Sequence, residues 1–154
     1  MTDGSSTRLP GTTAGLPLLY ILASFPIALF SASMATDVAY MQTTTQVWAD
    51  FSAWMLFGAE AGGVAAAVVG LVVLILNRRV RRTRPIWPVV VGAVSVLITG
   101  FINNLVHSRD AWTSVVPTGL SLSVLTVIVM LVTAWFGFAA SVEPVRSNAY
   151  VEAR

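Results

Sequence analysis

From the N-terminus onward, the chain alternates between four apolar stretches and short polar breaks. No charged residue stands between Arg8 and Asp37, a gap of 28 residues, and none between Asp110 and Glu143, a gap of 32. An α-helix crosses a hydrocarbon core with about 20 residues, so either gap is long enough for a span. The pattern predicts an all-α membrane protein whose four transmembrane helices form an antiparallel bundle, over residues 16–39, 50–77, 86–107 and 116–142. Residues 1–14 and 144–154 are polar and read as tails flanking a transmembrane domain over 15–143.

Prolines and polar residues punctuate the pattern. Pro26 is expected to kink the first helix, with serine and threonine neighbours re-satisfying the freed carbonyl. The segment from Ser31 to Ala35 resembles a signal-cleavage site, but the charged region before it is weak and Pro26 interrupts the apolar run. A retained helix is therefore expected. Thr43, Thr44, Thr45 and Gln46 read as a polar loop bounded by Asp37 and Asp50. Pro85 and Pro88 open the third helix, where a first-turn proline is well placed. Ser108, Arg109 and Asp110 lead through Trp112 and Pro117 into the fourth helix, and Pro144 is expected to end it.

Composition agrees with the pattern. The chain is 56% hydrophobic and 10% charged, where a soluble domain carries about 25% charged residues. With no cysteine, disulfides, thiolate-bound iron–sulfur clusters and a covalently attached c-type haem are excluded. All nine basic residues are arginines, a usage that suggests a GC-rich bacterial genome. Five of them, Arg78, Arg79, Arg81, Arg82 and Arg84, form a short linker between two apolar runs. That setting fits a topology signal rather than a nucleic-acid surface, which needs base-reading or stacking groups. Four spans place this linker and both tails on one side with eight arginines, against Arg109 alone on the other. The positive-inside bias then predicts cytoplasmic termini and a multi-pass protein of the bacterial cytoplasmic (inner) membrane. Tyr40, Trp48 and Trp112 are expected near one interface, and Tyr20, Trp87 and Trp135 near the other. No repeat of 20 to 50 residues is visible, which argues against an internally duplicated transporter.

The second helix carries Gly58, Gly62, Ala66 and Gly70 at four-residue spacing, with Ala59, Gly63 and Ala67 alongside. Small residues let helix backbones approach closely in lipid, so this helix is the expected packing centre. Glu60 stands among them. A carboxylate at membrane depth costs at least a few kcal/mol unless it is paired or neutral. It reads as a proton-linked or ligand-binding group, or as a hydrogen-bonded tie between helices. On the third helix Ser95, Thr99, Asn103 and His107 step by four and form one polar stripe. Depth counting brings Asn103 level with Glu60 and puts His107 nearer the surface, among a rim of Asp37, Asp50, Arg109 and Asp110. The candidate intramembrane cluster is thus Glu60, Asn103, Asn104, His107 and Asp37, with a Glu60–Asn103 or Glu60–His107 contact expected. One histidine cannot supply bis-histidine haem ligation; pairing with Met34, Met41, Met55 or Met130 is allowed, but no spacing selects it. No metal site and no catalytic motif is predicted. Ser121 and Ser123 read as groups that bond between helices.

The segment Phe25-Pro26-Ile27-Ala28-Leu29, Asp37, Trp48, Val69-Gly70-Leu71-Val72 and Trp135-Phe136-Gly137, in this order and spacing, resembles a bacterial family of predicted four-helix membrane proteins, domain of unknown function 2231. The resemblance covers residues 16–146. Family members are often fused to, or encoded beside, redox modules, so it implies a membrane anchor or electron-transfer subunit. Leu16-Pro17 and Val145-Arg146-Ser147 stand where many members carry histidines, and Val73 where an acid often follows; Asp37 is the polar family position that carries over.

Three functions remain open at the level of sequence. The first is a non-catalytic membrane subunit or anchor, surrounded by the lipid bilayer and working by self-association or within a larger, respiratory or other redox complex. The second is a small proton-coupled transporter or channel that uses Glu60. The third is an electron-transfer domain holding quinone or haem in the polar pocket. No enzymatic activity, no resident cofactor and no nucleic-acid partner is predicted.

Overall fold

The computed structural model describes residues 15–77, 86–109 and 114–152. These form four long helices: α1 (Gly15–Thr43), α2 (Gln46–Leu76), α3 (Trp87–His107) and α4 (Leu120–Glu152), the last preceded by a kinked segment at Ser114–Gly119. All four are long and apolar enough to cross a membrane, over Leu16–Thr43, Gln46–Leu76, Trp87–His107 and Val115–Ala139. The protein is therefore an all-helical membrane protein. Its arginine linker (78–85) and its N-terminal tail (1–14) lie outside the described residues.

Two boundaries differ from expectation for identifiable reasons. The polar loop shrinks to Thr44 and Thr45, because Thr43 donates its hydroxyl to the Ala39 carbonyl at 2.8 Å and the Thr44 N–H reaches the Tyr40 carbonyl at 2.7 Å. These bonds carry α1 through threonines that read as loop, and the chain then reverses at Thr44, whose φ of 53° lies in the left-handed region. That region is uncommon for a β-branched residue. Helix α4 runs on through Pro144 to Glu152 instead of ending there. A proline removes one helical N–H, and beyond the apolar stretch that ends at Ala139 the freed carbonyl can be hydrated. At the other end of α4, Val116 takes an extended conformation (φ −124°, ψ 129°), as a residue before proline prefers, and the chain bends there.

The helices close a ring in which α1 packs on α2 and α4, and α3 packs on α2 and α4. Contact is tightest within the two hairpins, α1–α2 and α3–α4. Small residues set how close the helices come. Gly58, Gly62 and Gly70 of α2 face Leu29, the Phe25–Pro26 step and Leu19 of α1, while Gly63 faces Leu97 of α3. Ala66 is buried and Ala67 exposed. Phe30, Leu56, Ala59, Val96, Val127 and Met130, drawn from all four helices, make the apolar core. Tyr40, in the last turn of α1, is buried between the helices. The outward faces carry leucine, isoleucine, valine and aromatic side chains, including the well-exposed Trp54, Trp87 and Trp135. In lipid such exposure carries no hydrophobic penalty, so what holds the bundle is packing and interior polarity.

Candidate functional site

The interior polarity follows from where the first hairpin turns. Asp37 stands seven residues before Thr44 and Ser52 seven residues after Thr45, so both lie roughly 10 Å below the turn on facing helices. Asp37 is fully buried. Ser52 of α2 donates to its Oδ1 at 2.5 Å, and Ser123 of α4 donates to its Oδ2 at 2.5 Å. His107 of α3 brings Nε2 to Oδ1 at 2.9 Å. One carboxylate thus takes a bond from each of the other three helices. Two of these, from α3 and α4, join the first hairpin to the second.

A second layer orients the donors. Because the Ser52 hydroxyl hydrogen points at Asp37, Ser33 is the donor in the 2.9 Å contact between the two serines. Asn103 donates Nδ2–H to the Ser123 oxygen at 2.8 Å, so Ser123 relays between the amide and the carboxylate. His107 Nδ1 lies 3.0 Å from the Asn103 backbone carbonyl. A carbonyl can only accept, so Nδ1 carries hydrogen and Nε2 is the nitrogen turned to Asp37. Thr36 donates to the Ser33 carbonyl at 2.8 Å and completes the α1 side. Two serine hydroxyls thus donate to Asp37, one to each carboxylate oxygen, and the His107 ring lies against Oδ1.

A family model described as "Predicted membrane protein (DUF2231)" matches residues 15–145. The chain belongs to this family. No curated protein and no solved structure matches it. In this DUF2231 chain, Asp37 is the polar position that the sequence resemblance carried over, and it is the hub of the network.

The candidate cluster read from the sequence is only partly assembled. Asp37, Asn103 and His107 come together, but Asp37 is interior rather than part of a rim. Asn104 is half-buried and takes no part in the network. No hydrogen bond is formed between Glu60 and His107, whose ring bonds to Asp37, and the Asn103 amide nitrogen goes to Ser123, while Glu60 Oε2 is buried without a hydrogen-bond partner. For His107 the physical reason is depth. Helix α2 begins at Gln46, four residues before the expected start, and Glu60 is the fifteenth of its 31 residues. Glu60 therefore lies about eight residues, or roughly 12 Å, further in than Ser52.

Several hydroxyls of this DUF2231 bundle bond within their own segment of chain. Ser95 and Thr99, the inner half of the α3 stripe, donate to the Val91 and Ser95 carbonyls at 2.9 Å. Ser121, expected to bond between helices, donates to the Pro117 carbonyl at 2.8 Å instead. Such i−4 bonds satisfy a hydroxyl in lipid without a partner helix. Ser33 and Ser52 were not singled out in the sequence; the signal that could have found them is the four-residue step from Ser33 to Asp37 and the equal spacing about the turn.

The donor set does not suit haem iron or another metal. Both ring nitrogens of His107 are engaged by Asp37 and Asn103, so neither is free to ligate. Among the described residues no group of three or more His, Cys, Asp or Glu side chains could hold a metal ion.

Proposed function

We propose that this chain is a non-catalytic membrane subunit or anchor that works by helix packing, with copies of itself or within a larger membrane complex. One observation carries the reading: the groups most suited to acid–base chemistry, Asp37 and His107, are bonded to each other and to serines from neighbouring helices. A general acid or base needs a free position within hydrogen-bond reach of a substrate. This network instead joins helices. The exposed apolar faces of all four helices supply the surface for lipid and for other membrane helices. The family resemblance adds the partner class, a redox or respiratory complex.

Extraction of the tagged protein from native membranes into lipid nanodiscs, followed by mass measurement of the intact assembly, tests the reading. A defined stoichiometric assembly, of copies of this chain or with another membrane chain, is expected. A monodisperse single chain that turns over a substrate unaided would overturn it.

The same reading places the protein in a bacterial cytoplasmic membrane with both termini in the cytoplasm. Its support is the gathering of eight of nine arginines on the side of the tails and linker. The absence of cysteine makes the orientation easy to read. A Thr44→Cys variant is expected to react with a membrane-impermeant maleimide added to spheroplasts, and an Arg82→Cys variant only after the membrane is opened. The reverse pattern would invert the topology.

A further inference from the structure

Among the described residues, two buried side-chain oxygens have no hydrogen-bond partner: Glu60 Oε2 on α2 and Asn103 Oδ1 on α3. Their positions are related. A Cβ built on Gly100 would stand 2.8 Å from Glu60 Oε2, so that oxygen lies directly against the α3 backbone at Gly100. Asn103 follows Gly100 by three residues and is fully buried on the same face of α3. Helical side chains lean toward the N-terminus of their helix, which carries the Asn103 amide back over the turn that holds Gly100. Its nitrogen is committed to Ser123, which leaves Oδ1 as the end turned away from that bond. Two acceptor oxygens are thus gathered at one level between α2 and α3, and neither has a donor.

Three donors could satisfy such a pair: a bound cation, a water, or a proton on the carboxyl itself. The first two need space. The same Cβ at Gly100 would stand 2.6 Å from the ring of Phe30, a side chain only 1% exposed, so not even a methyl group fits there without displacement. A buried water needs a roomy site and two or more polar partners. A cation needs further oxygens, and Gly100 and Phe30 offer no side-chain oxygen. Nor does a basic side chain serve, because among the described residues the ion pair is that of His107 with Asp37, nearer the turn end. A proton requires no space.

The geometry points to Glu60 as a proton-binding site in the middle of the membrane, its carboxyl neutral and its Oε2–H donated to Asn103 Oδ1. The bond links α2 to α3 and therefore one hairpin to the other, at a level below the Asp37 network. It also extends a chain of donors, from Glu60 to Asn103 to Ser123 to Asp37, in which each group donates to the next. Removal of the proton leaves a carboxylate facing an amide oxygen, so proton occupancy of Glu60 and contact between the hairpins depend on each other.

Infrared spectroscopy of the protein in lipid nanodiscs at neutral pH tests this. The difference spectrum of wild type minus Glu60→Gln is expected to show the C=O stretch of a protonated carboxyl, above the amide I band. Asn103→Ala is expected to move that band to higher frequency, as loss of the hydrogen bond frees the group. A second measurement guards against a variant that fails to assemble. The side-chain amide introduced by Glu60→Gln can still donate to Asn103, so the melting temperature of this variant should match wild type, whereas Glu60→Ala should melt lower. Absence of the carboxyl band, a band unmoved by Asn103→Ala, or an equal loss of melting temperature in both Glu60 variants would each overturn the assignment.

Discussion

Replacement of Asp37 by alanine is expected to destabilise the bundle by about 2–4 kcal/mol, read as a lower midpoint in thermal or denaturing-detergent unfolding. The lower figure comes from counting bonds. Asp37 is bonded to Ser52, His107 and Ser123 on three different helices. Interhelical polar contacts in membrane proteins average about 0.6 kcal/mol, so three give roughly 2 kcal/mol. The upper figure reflects what is left behind. Removal of one partner of a buried pair strands the other, at about 3–5 kcal/mol in soluble proteins, and the side chain of His107 is only 1% exposed. Ser123→Ala cuts the relay between Asn103 and Asp37 and should cost about 1–2 kcal/mol, close to the penalty for unsatisfied buried groups. Ser121→Ala is the control. That exposed hydroxyl bonds only to its own helix, and its loss should stay within about 0.5 kcal/mol.

The second large effect is expected at Gly92, where α3 meets α4. A Cβ at this position would run into Thr133 Oγ1, with Thr133 Cγ2 at 2.8 Å and Cβ at 2.9 Å. Threonine is branched at Cβ and stiff about χ1, and its hydroxyl is bonded to the Val129 carbonyl at 2.7 Å, so it cannot swing clear at no cost. Overpacking typically costs about 1–3 kcal/mol. Glycine-to-alanine exchange inside a helix recovers about 1 kcal/mol of propensity. Gly92→Ala should therefore be a net loss at the small end of this range, and Gly92→Leu a loss at its upper end. Thr133→Ala, which removes the colliding atoms, should restore most of the stability of Gly92→Ala. Unfolding midpoints of the two single variants and the double variant measure this as a coupling. Gly137, with nothing within 4 Å of an added Cβ, should accept alanine with no loss. Equal effects at Gly92 and Gly137 would show that α3 and α4 do not pack as described.

The four helices were legible because lipid imposes a length requirement that the charge-free gaps meet. The site was legible by composition but not by pairing. Asp37, Asn103 and His107 stood out as polar residues in apolar surroundings, yet assigning partners required depths, and depths required helix ends. Four polar residues, Thr43 to Gln46, read as loop, although α1 and α2 continue up to Thr44 and Thr45. That shift of about one turn at each end, roughly 6 Å, moved Asp37 from rim to interior and Glu60 toward mid-membrane. His107, expected at the same rim as Asp37, is bonded to it and not to Glu60. The serines were harder still. Ser31 bonds to the Ile27 carbonyl of its own helix while Ser33 reaches Ser52, and Ser121 and Ser123 divide in the same way. Two residues apart on a helix face nearly opposite directions, and only the packed bundle decides which one looks inward.

A single buried carboxylate ties the four helices together, with the His107 ring held between it, at Nε2, and the Asn103 carbonyl, at Nδ1. Nitrogen-15 NMR of the histidine ring tests this most directly, since His107 is the one histidine in the chain and gives an unambiguous spectrum. In nanodiscs at neutral pH, the ring hydrogens should be protected from exchange with water, and Asp37→Asn should remove that protection and shift the Nε2 resonance. Ring hydrogens that exchange freely in the wild type, with a spectrum unchanged by Asp37→Asn, would contradict it.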